Sequence, residues 1–360
     1  MGYPVTSEDL PQTTAEVDRD VVLRVEDLSV RFGDVRAVTN VSFEVRRGEF
    51  FGIVGESGSG KSVTAKAVLG LLPSGARISG HIHFEGQELL RLPPRRLRRV
   101  AGDRISMVFQ DALAALDPVY TIGFQLVEAL RAHQRVDRAT ARRRAVELLE
   151  EVGIPDPASR LDSYPHQLSG GQLQRVVIAT ALISDPEVIL ADEPTTALDV
   201  TVQKQILDLF REIQVRRGMS IVLITHDLGV VAETCDRVAV FYGGIIAEEA
   251  PVLPIFEEPQ HPYTVALLNS VPHLGRPSGM EGIPGSPRQI RGPLTECPFW
   301  PRCEHAVPEC WHELPQERRS GPHRHRCIQP WTSDAGSTRS DAPAGDPDRA
   351  ATDPARAGDE

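Results

Sequence analysis

No stretch of the 360 residues comes near the roughly 18 consecutive apolar side chains that a membrane-crossing helix needs. The chain is therefore not expected to span a bilayer, and its acidic amino terminus does not read as a signal peptide, so a cytosolic setting is expected. Aromatic residues are few, at 5%, and none is interleaved with the arginine-rich piece RLPPRRLRRVAGDR at residues 91–104. That piece lacks the stacking platform of a single-strand binder and reads as a solvated helix face. Positive charge is also in short supply. Of the net charge of -11, residues 1–20 and 332–360 carry -4 each. The part between them is near neutral and gives no ground for general nucleic-acid affinity. Both tails are rich in Pro, Thr, Ala, Ser and Asp with little to bury, and are expected to be disordered. Cysteine is scarce as well, five in all, yet four of the five fall within residues 297–327.

What is present is organised around residues 49–70, EFFGIVGESGSGKSVTAKAVLG. Phe50, Phe51, Ile53 and Val54 form an apolar run of the buried-strand type, followed by a glycine-rich turn and a helix-compatible stretch. The turn reads Gly55, Glu56, Ser57, Gly58, Ser59, Gly60, Lys61, Ser62 and fits the phosphate-binding pattern G-x-x-x-x-G-K-[ST]. Its glycines let successive backbone N–H groups point at phosphate oxygens, and the helix starting near Lys61 adds its positive end. Lys61 is placed to reach the β- and γ-phosphates, and the Ser62 hydroxyl to ligate Mg²⁺.

The segment VVLRVEDLSVRF from Val21, then VSFEV at 41–45 and HIHFEG at 81–86, alternate as half-buried strands do and predict an antiparallel sheet flanking the loop. Phe32 ends the first of them; it is a candidate for stacking on adenine or, equally, a half-buried strand aromatic. Three further apolar runs end in polar residues: ISMVFQ in Gln110, EVILADEP in Asp192 and Glu193, SIVLITHD in His226. One carboxylate is expected near Mg²⁺ and the other in place to orient or deprotonate a water. Residues 122–152 carry helical spacing, with Ala145, Leu148, Leu149 and Val152 on one face, Asp137 as a cap and Gly153 as a stop. They predict a helical subdomain inserted in an α/β core. In QLSGGQLQRVVIATALI, residues 167–183, Ser169 is placed as an N-cap, and Gly170 and Gly171 allow close approach to an anion. One phosphate loop does not need this second anion-directed helix start.

In this order the phosphate loop, Gln110, LSGGQ at 168–172, Asp192, Glu193, the ALD of 197–199 and His226 resemble an ABC-type ATPase over about residues 21–270. The resemblance implies an α/β P-loop cassette: a RecA-like core, an antiparallel β subdomain and an inserted helical subdomain at about 111–168. It implies that Phe32, Val63 and the loop residues bind ATP, although many relatives have Tyr at the Phe32 position. Ser62, Gln110 and Asp192 would hold Mg²⁺, and Glu193 and His226 would be catalytic. Leu168, Ser169, Gly170, Gly171 and Gln172, with Asp199, would act on nucleotide held by a partner cassette. The stretches GIVGESGSGKS, ADEPTTALDVTVQKQIL, PQHPYTVALLNSVP and CPFWPRC narrow the resemblance to the ATP-binding subunits of bacterial oligopeptide and dipeptide importers.

That likeness implies ATP hydrolysis in a dimer, with itself or a related second ATP-binding subunit, driving peptide import from the cytoplasmic face of the cell membrane. Two membrane-spanning permease subunits would dock near residues 110–165, an extracytoplasmic peptide-binding protein would take part indirectly, and nucleic acid would not. Of the rivals, a soluble ABC ATPase of DNA repair with long coiled coils would need hundreds of residues between phosphate loop and signature, where only 105 stand. Soluble relatives of translation usually carry two cassettes per chain. An exporter subunit is disfavoured by the C-terminal extension, residues 271–331.

Cys297, Cys303, Cys310 and Cys327 lie in this extension, a Pro- and His-rich stretch that reads as too poor in apolar residues to build much core. Cytosolic disulfides are not expected, so one metal centre is. The spacing C-x5-C-x6-C-x16-C lacks the close pairs of structural zinc sites, and thiolates alone can equally hold an iron–sulfur cluster. The importer resemblance implies a 4Fe-4S cluster stapling the extension together, with zinc as the alternative and His305, His312, His323 and His325 as substitute zinc ligands. Cys235 reads as an inert core thiol.

Overall fold

The computed structural model describes residues 20–196, 198–270 and 282–331. The expected disordered tails, Ala197 and the start of the extension lie outside the described residues. Two sheets carry the fold. In the first, β1 (Val21–Phe32) and β2 (Val35–Arg46) form a hairpin about Gly33, and β4 (Ala76–Phe84) pairs along the other side of β1. Leu23 and Val25, then Leu28 and Val30, face the core. The change of phase between the two pairs coincides with a register shift at Asp27, whose φ is 50°. The short strands β5 (Gln87–Glu88) and β11 (Ile290–Arg291) close the edges, giving the order β11-β2-β1-β4-β5.

The second sheet places β3 (Phe50–Val54) between β8 (Ser220–Thr225) and β9 (Arg237–Tyr242), with β7 (Val188–Asp192) and β6 (Ile105–Val108) beyond β8, all parallel. On the far side β10 (Ile245–Pro251), β13 (His323–His325) and β12 (Arg318–Ser320) add antiparallel pairs. Every residue of β3, β7 and β8 is buried, which is why these strands read as unbroken apolar runs and not as alternation. Register brings Val54 beside Thr225 and Asp192 beside Ile224, so the strands end along one edge. Phe43 on β2 stacks on Phe51 of β3 at 5.4 Å and joins the two sheets. Truncating the fully buried Phe51 to Ala would cost about 3–5 kcal/mol.

The helical stretch expected at 122–152 is two helices, Ile122–His133 and Arg138–Glu151. The second starts where the Asp137 carboxylate accepts the Thr140 N–H at 2.8 Å, and Gly153, at φ 74°, ends it. Both pack with Gly170–Leu182 around Leu126, Leu130, Leu148 and Leu149.

The extension differs from its sequence reading. Instead of a coreless appendage, it joins both sheets, through β11 on β2 and through β13 on β10. It also sends Cys297, Phe299 and Cys310 into the main apolar core. Phe299 packs 5.1 Å from Tyr242 and 5.2 Å from Tyr263, ring centre to ring centre. The apolar surface it needed is supplied by the ATPase core, which composition of the extension alone does not reveal.

Candidate active site

Val54 delivers the chain into the loop Gly55–Ser62 at the carboxyl edge of the parallel sheet, where such folds hold ligands. Two of its glycines are required by geometry. A Cβ on Gly55 would lie 2.1 Å from Phe241 O, and one on Gly60 2.5 Å from Ala37 O, with φ at 146° and 103°. The helix Lys61–Val68 starts at Gly60 without a side-chain cap, so its first N–H groups are not tied up by a local acceptor. Lys61 is buried and donates from Nζ to Gly55 O at 2.7 Å and Glu56 O at 2.9 Å. Burial pushes its amine below the ordinary lysine value, opposed by the charges of Glu193, Asp192 and Glu56. The buried Ser59 hydroxyl has no hydrogen-bond partner. An orphan donor, an uncapped helix start and a lysine resting on two carbonyls fit a phosphate chain.

Next to the loop, Ser62 Oγ donates to Asp192 Oδ1 at 2.7 Å. Burial raises the Asp192 carboxyl above its ordinary value, with Ser62 and Lys66 pulling it back and Glu193 pushing it further. A hydroxyl and a carboxylate so paired are the oxygen donors Mg²⁺ takes beside a phosphate. Glu193 follows in the left-handed region, φ 47°, strained for a side chain of its size. Its Oε2 accepts Gln110 Nε2 at 3.0 Å and Thr196 Oγ1 at 3.0 Å, and lies 3.5 Å from His226 Nδ1. Gln110 sits two residues past the end of β6. The structure thus brings together Lys61, Ser62, Gln110, Asp192, Glu193 and His226. Thr196 was missed by sequence reasoning, although it lies three residues from Glu193 in the same turn.

Other sequence candidates stand apart. Phe32 is half-buried against the core shared by the two sheets. Ser169 caps its helix, accepting the Gln172 N–H at 3.4 Å while Gln172 Oε1 accepts the Ser169 N–H at 3.1 Å. Ser169 and Gly170 are exposed and the bonds of this turn are local. Asp199 caps the helix Val200–Arg217 by accepting the Val202 N–H at 3.0 Å.

Among the described residues no group of three or more His, Cys, Asp or Glu is disposed to hold a metal ion. Cys297, Cys303, Cys310 and Cys327 are free thiols in one neighbourhood. Burial, and then the proximity of neighbouring cysteines, pushes Cys303 and Cys327 up to about 12 and Cys297 to about 11. Of the expected substitute histidines only His323 has a polar partner at its ring among the described residues, and both ring nitrogens of His325 are buried without one. His323 Nε2 is 2.6 Å from Glu248 Oε1, His305 lies edge-on to Trp331, His312 lies beside Trp311, and His325 is buried on β13 against β10.

Strand, glycine loop, helix, a Ser–Asp oxygen pair and a carboxylate on the next turn define a P-loop nucleotide-hydrolysing cassette. Residues 38–196 match the family described as ABC transporter, and residues 247–310 the one described as Oligopeptide/dipeptide transporter, C-terminal region. The chain is 49% identical to the dipeptide transport ATP-binding protein DppD of Bacillus subtilis, over 87% of this chain and 95% of that one. It is 45% identical to the oligopeptide transport ATP-binding protein OppD of Salmonella typhimurium, over 88% and 96%. Among solved structures, the dimeric post-hydrolysis state of the ATP-binding cassette MJ0796 bound to ADP and Pi superposes with a TM-score of 0.57 at 30% identity, covering 64% of this chain and 98% of that one. The chain belongs to the ABC transporter ATP-binding subunits that carry the oligopeptide/dipeptide-type C-terminal region.

Proposed function

We propose that the chain is the ATP-hydrolysing subunit of a peptide importer, peripheral on the cytoplasmic face of the membrane. No helix among the described residues is long and apolar enough to cross one, so transport would fall to two membrane-spanning permease subunits, fed by an extracytoplasmic peptide-binding protein. The observation that carries the reading is that Ser62, Asp192, Gln110, Glu193 and His226 meet beside the phosphate loop, in a chain whose relatives are named for peptide transport.

In this reading ATP lies on the loop, with the N–H groups of residues 57–63 around its phosphates, Lys61 on the β- and γ-oxygens and Phe32 against the adenine. Mg²⁺, when bound by Ser62, Asp192 and Gln110, offsets phosphate charge. Glu193 orients or deprotonates the attacking water, and His226, 3.5 Å from its carboxylate, faces the same space. The signature turn, Leu168 to Gln172, exposed at Ser169 and Gly170, closes with Asp199 over nucleotide held by a second cassette, identical or related. The ATPase domain is taken as residues 21–270, the extension as 271–331. Its four neighbouring thiols are assigned a 4Fe-4S cluster, with zinc as the alternative, bound after deprotonation and some rearrangement of the side chains. Support for that assignment is their shared surroundings alone.

The test is to purify the tagged chain from membranes of its own host. Co-purification of two integral membrane proteins and ATP hydrolysis stimulated by a peptide-loaded binding protein are expected; a soluble chain without membrane partners would overturn the reading. Iron and sulfide near four per chain in anaerobically purified protein would support the cluster, and one zinc or no metal would refute it.

A further inference from the structure

Glu56, the second residue of the phosphate loop, places a carboxylate in a loop whose work is to receive anions. Two residues take hold of it, Arg302 of the extension and Tyr263 of the helix Pro262–Asn269 that ends the ATPase domain. The Arg302 guanidinium grips its carboxylate in a bidentate pair, Nη1 to Oε2 at 2.6 Å and Nη2 to Oε1 at 2.9 Å. The hydroxyl of Tyr263 accepts the Glu56 backbone N–H at 2.9 Å. Neither contact is a loose surface pairing: the Tyr263 ring is fully buried and the Arg302 side chain is 6% exposed. Arg302 is itself fixed, donating to Tyr242 Oη at 3.1 Å, Pro284 O at 2.6 Å and Ile283 O at 3.2 Å. The third point of contact runs inward, because the Glu56 carbonyl is one of the two acceptors on which Lys61 rests.

We infer that Arg302 and Tyr263 are positioning residues for the phosphate loop, and that through Arg302 the C-terminal extension sets the affinity of the site for ATP. The inference rests on the assignment of ATP to this loop. Arg302 cancels the one negative charge of the loop that would repel a polyphosphate, and does so with a planar fork that also fixes where Glu56 stands. Tyr263 fixes the backbone of the same residue. Together they hold the carbonyl that orients Lys61. The turn Trp300–Arg302 lies between Cys297 and Cys303, so the order of the cysteine-bearing segment bears directly on the loop.

Binding of ATP to the full-length chain, followed by fluorescence of a nucleotide analogue with and without Mg²⁺, tests this with four variants. Arg302→Met is expected to weaken ATP affinity roughly tenfold or more, since it leaves an unpaired carboxylate beside the ligand. Arg302→Lys should recover part of the loss. Adding Glu56→Gln to Arg302→Met should restore affinity to within about threefold of the unaltered chain, because the repelling charge is gone. A purely structural role for Arg302 would not give that rescue, since the double variant lacks both halves of the pair. Tyr263→Phe keeps the ring and its packing, and should weaken ATP roughly three- to tenfold through the unpaired Glu56 N–H; it decides the matter should Arg302→Met not fold. Unaltered affinity in Arg302→Met or Tyr263→Phe, or a double variant as weak as the single one, would overturn the inference. An unaltered chain that bound no ATP would instead refute the assignment of the loop.

Discussion

Replacing Glu193 by Gln isolates the contribution of one negative charge. The carboxylate Oε2 accepts two neutral donors, Gln110 Nε2 and Thr196 Oγ1, each at 3.0 Å. A glutamine in the same rotamer presents its amide oxygen to both, so neither donor is orphaned. Both side chains bear the same left-handed backbone at φ 47°, so that strain cancels between the two proteins. Folding stability should therefore change by less than about 1 kcal/mol. What disappears is the ability to accept a proton from, or to polarise, a water facing the γ-phosphate. General-base contributions of this kind are worth about 10²-fold or more, a rise in barrier of about 2.7 kcal/mol per hundredfold. Steady-state phosphate release should fall by at least that factor, while ATP affinity by equilibrium titration stays within about twofold. Turnover near that of the unaltered protein would refute the role given to Glu193. A parallel loss of ATP affinity would instead mean that the residue holds the nucleotide.

Lys61→Ala removes the buried ammonium and should weaken ATP binding itself, by about 10- to 100-fold for a charge-assisted contact, as titration of the purified chain will show. Gly170→Asp places a carboxylate on an exposed helix start; monomer affinity for ATP should survive while cooperative hydrolysis in the assembled transporter is lost, and a collapse of monomer affinity would refute action across subunits. His261 provides a pH test. Burial, reinforced by His325 and opposed by Glu248, lowers its folded pKa to about 4, and its Nδ1 accepts the Tyr263 N–H at 3.0 Å, which fixes the neutral ring. Between about pH 6.5 and 4 the unfolded chain takes up the proton that the folded one refuses. Stability should therefore fall with pH across that window, by up to about 3 kcal/mol, and denaturant titrations of His261→Asn should show a shallower slope.

The parts of the site that lie within one local pattern were legible in the sequence. The phosphate loop is contiguous, and Gly55 and Gly60 are dictated by close approaches to Phe241 and Ala37 that only glycine allows. Asp192, Glu193 and His226 were legible because each follows an unbroken apolar run, the mark of a strand buried on both faces. Interactions across long sequence separations were not. Arg302 and Glu56 are 246 residues apart, and no periodicity in either segment signals the pair. The break within the helical stretch was marked by Asp137, read as a cap, which starts the second helix. The extension read as coreless because its few apolar side chains, Phe299 above all, pack on Tyr242 and Tyr263 of the ATPase core and not on one another. Of the histidines offered to a metal, His323 is claimed by Glu248, 75 residues away, a pairing that no local pattern shows.

That ATP turnover at this site drives peptide import is most directly measured by uptake of a radiolabelled peptide into cells of the source organism. Those cells would carry either the unaltered chain or Glu193→Gln, at equal levels of chain and of membrane partners. Uptake in the Glu193→Gln strain should drop to that of cells lacking the chain altogether. Uptake of every peptide tried at the unaltered rate, with ATP hydrolysis abolished, would contradict the account.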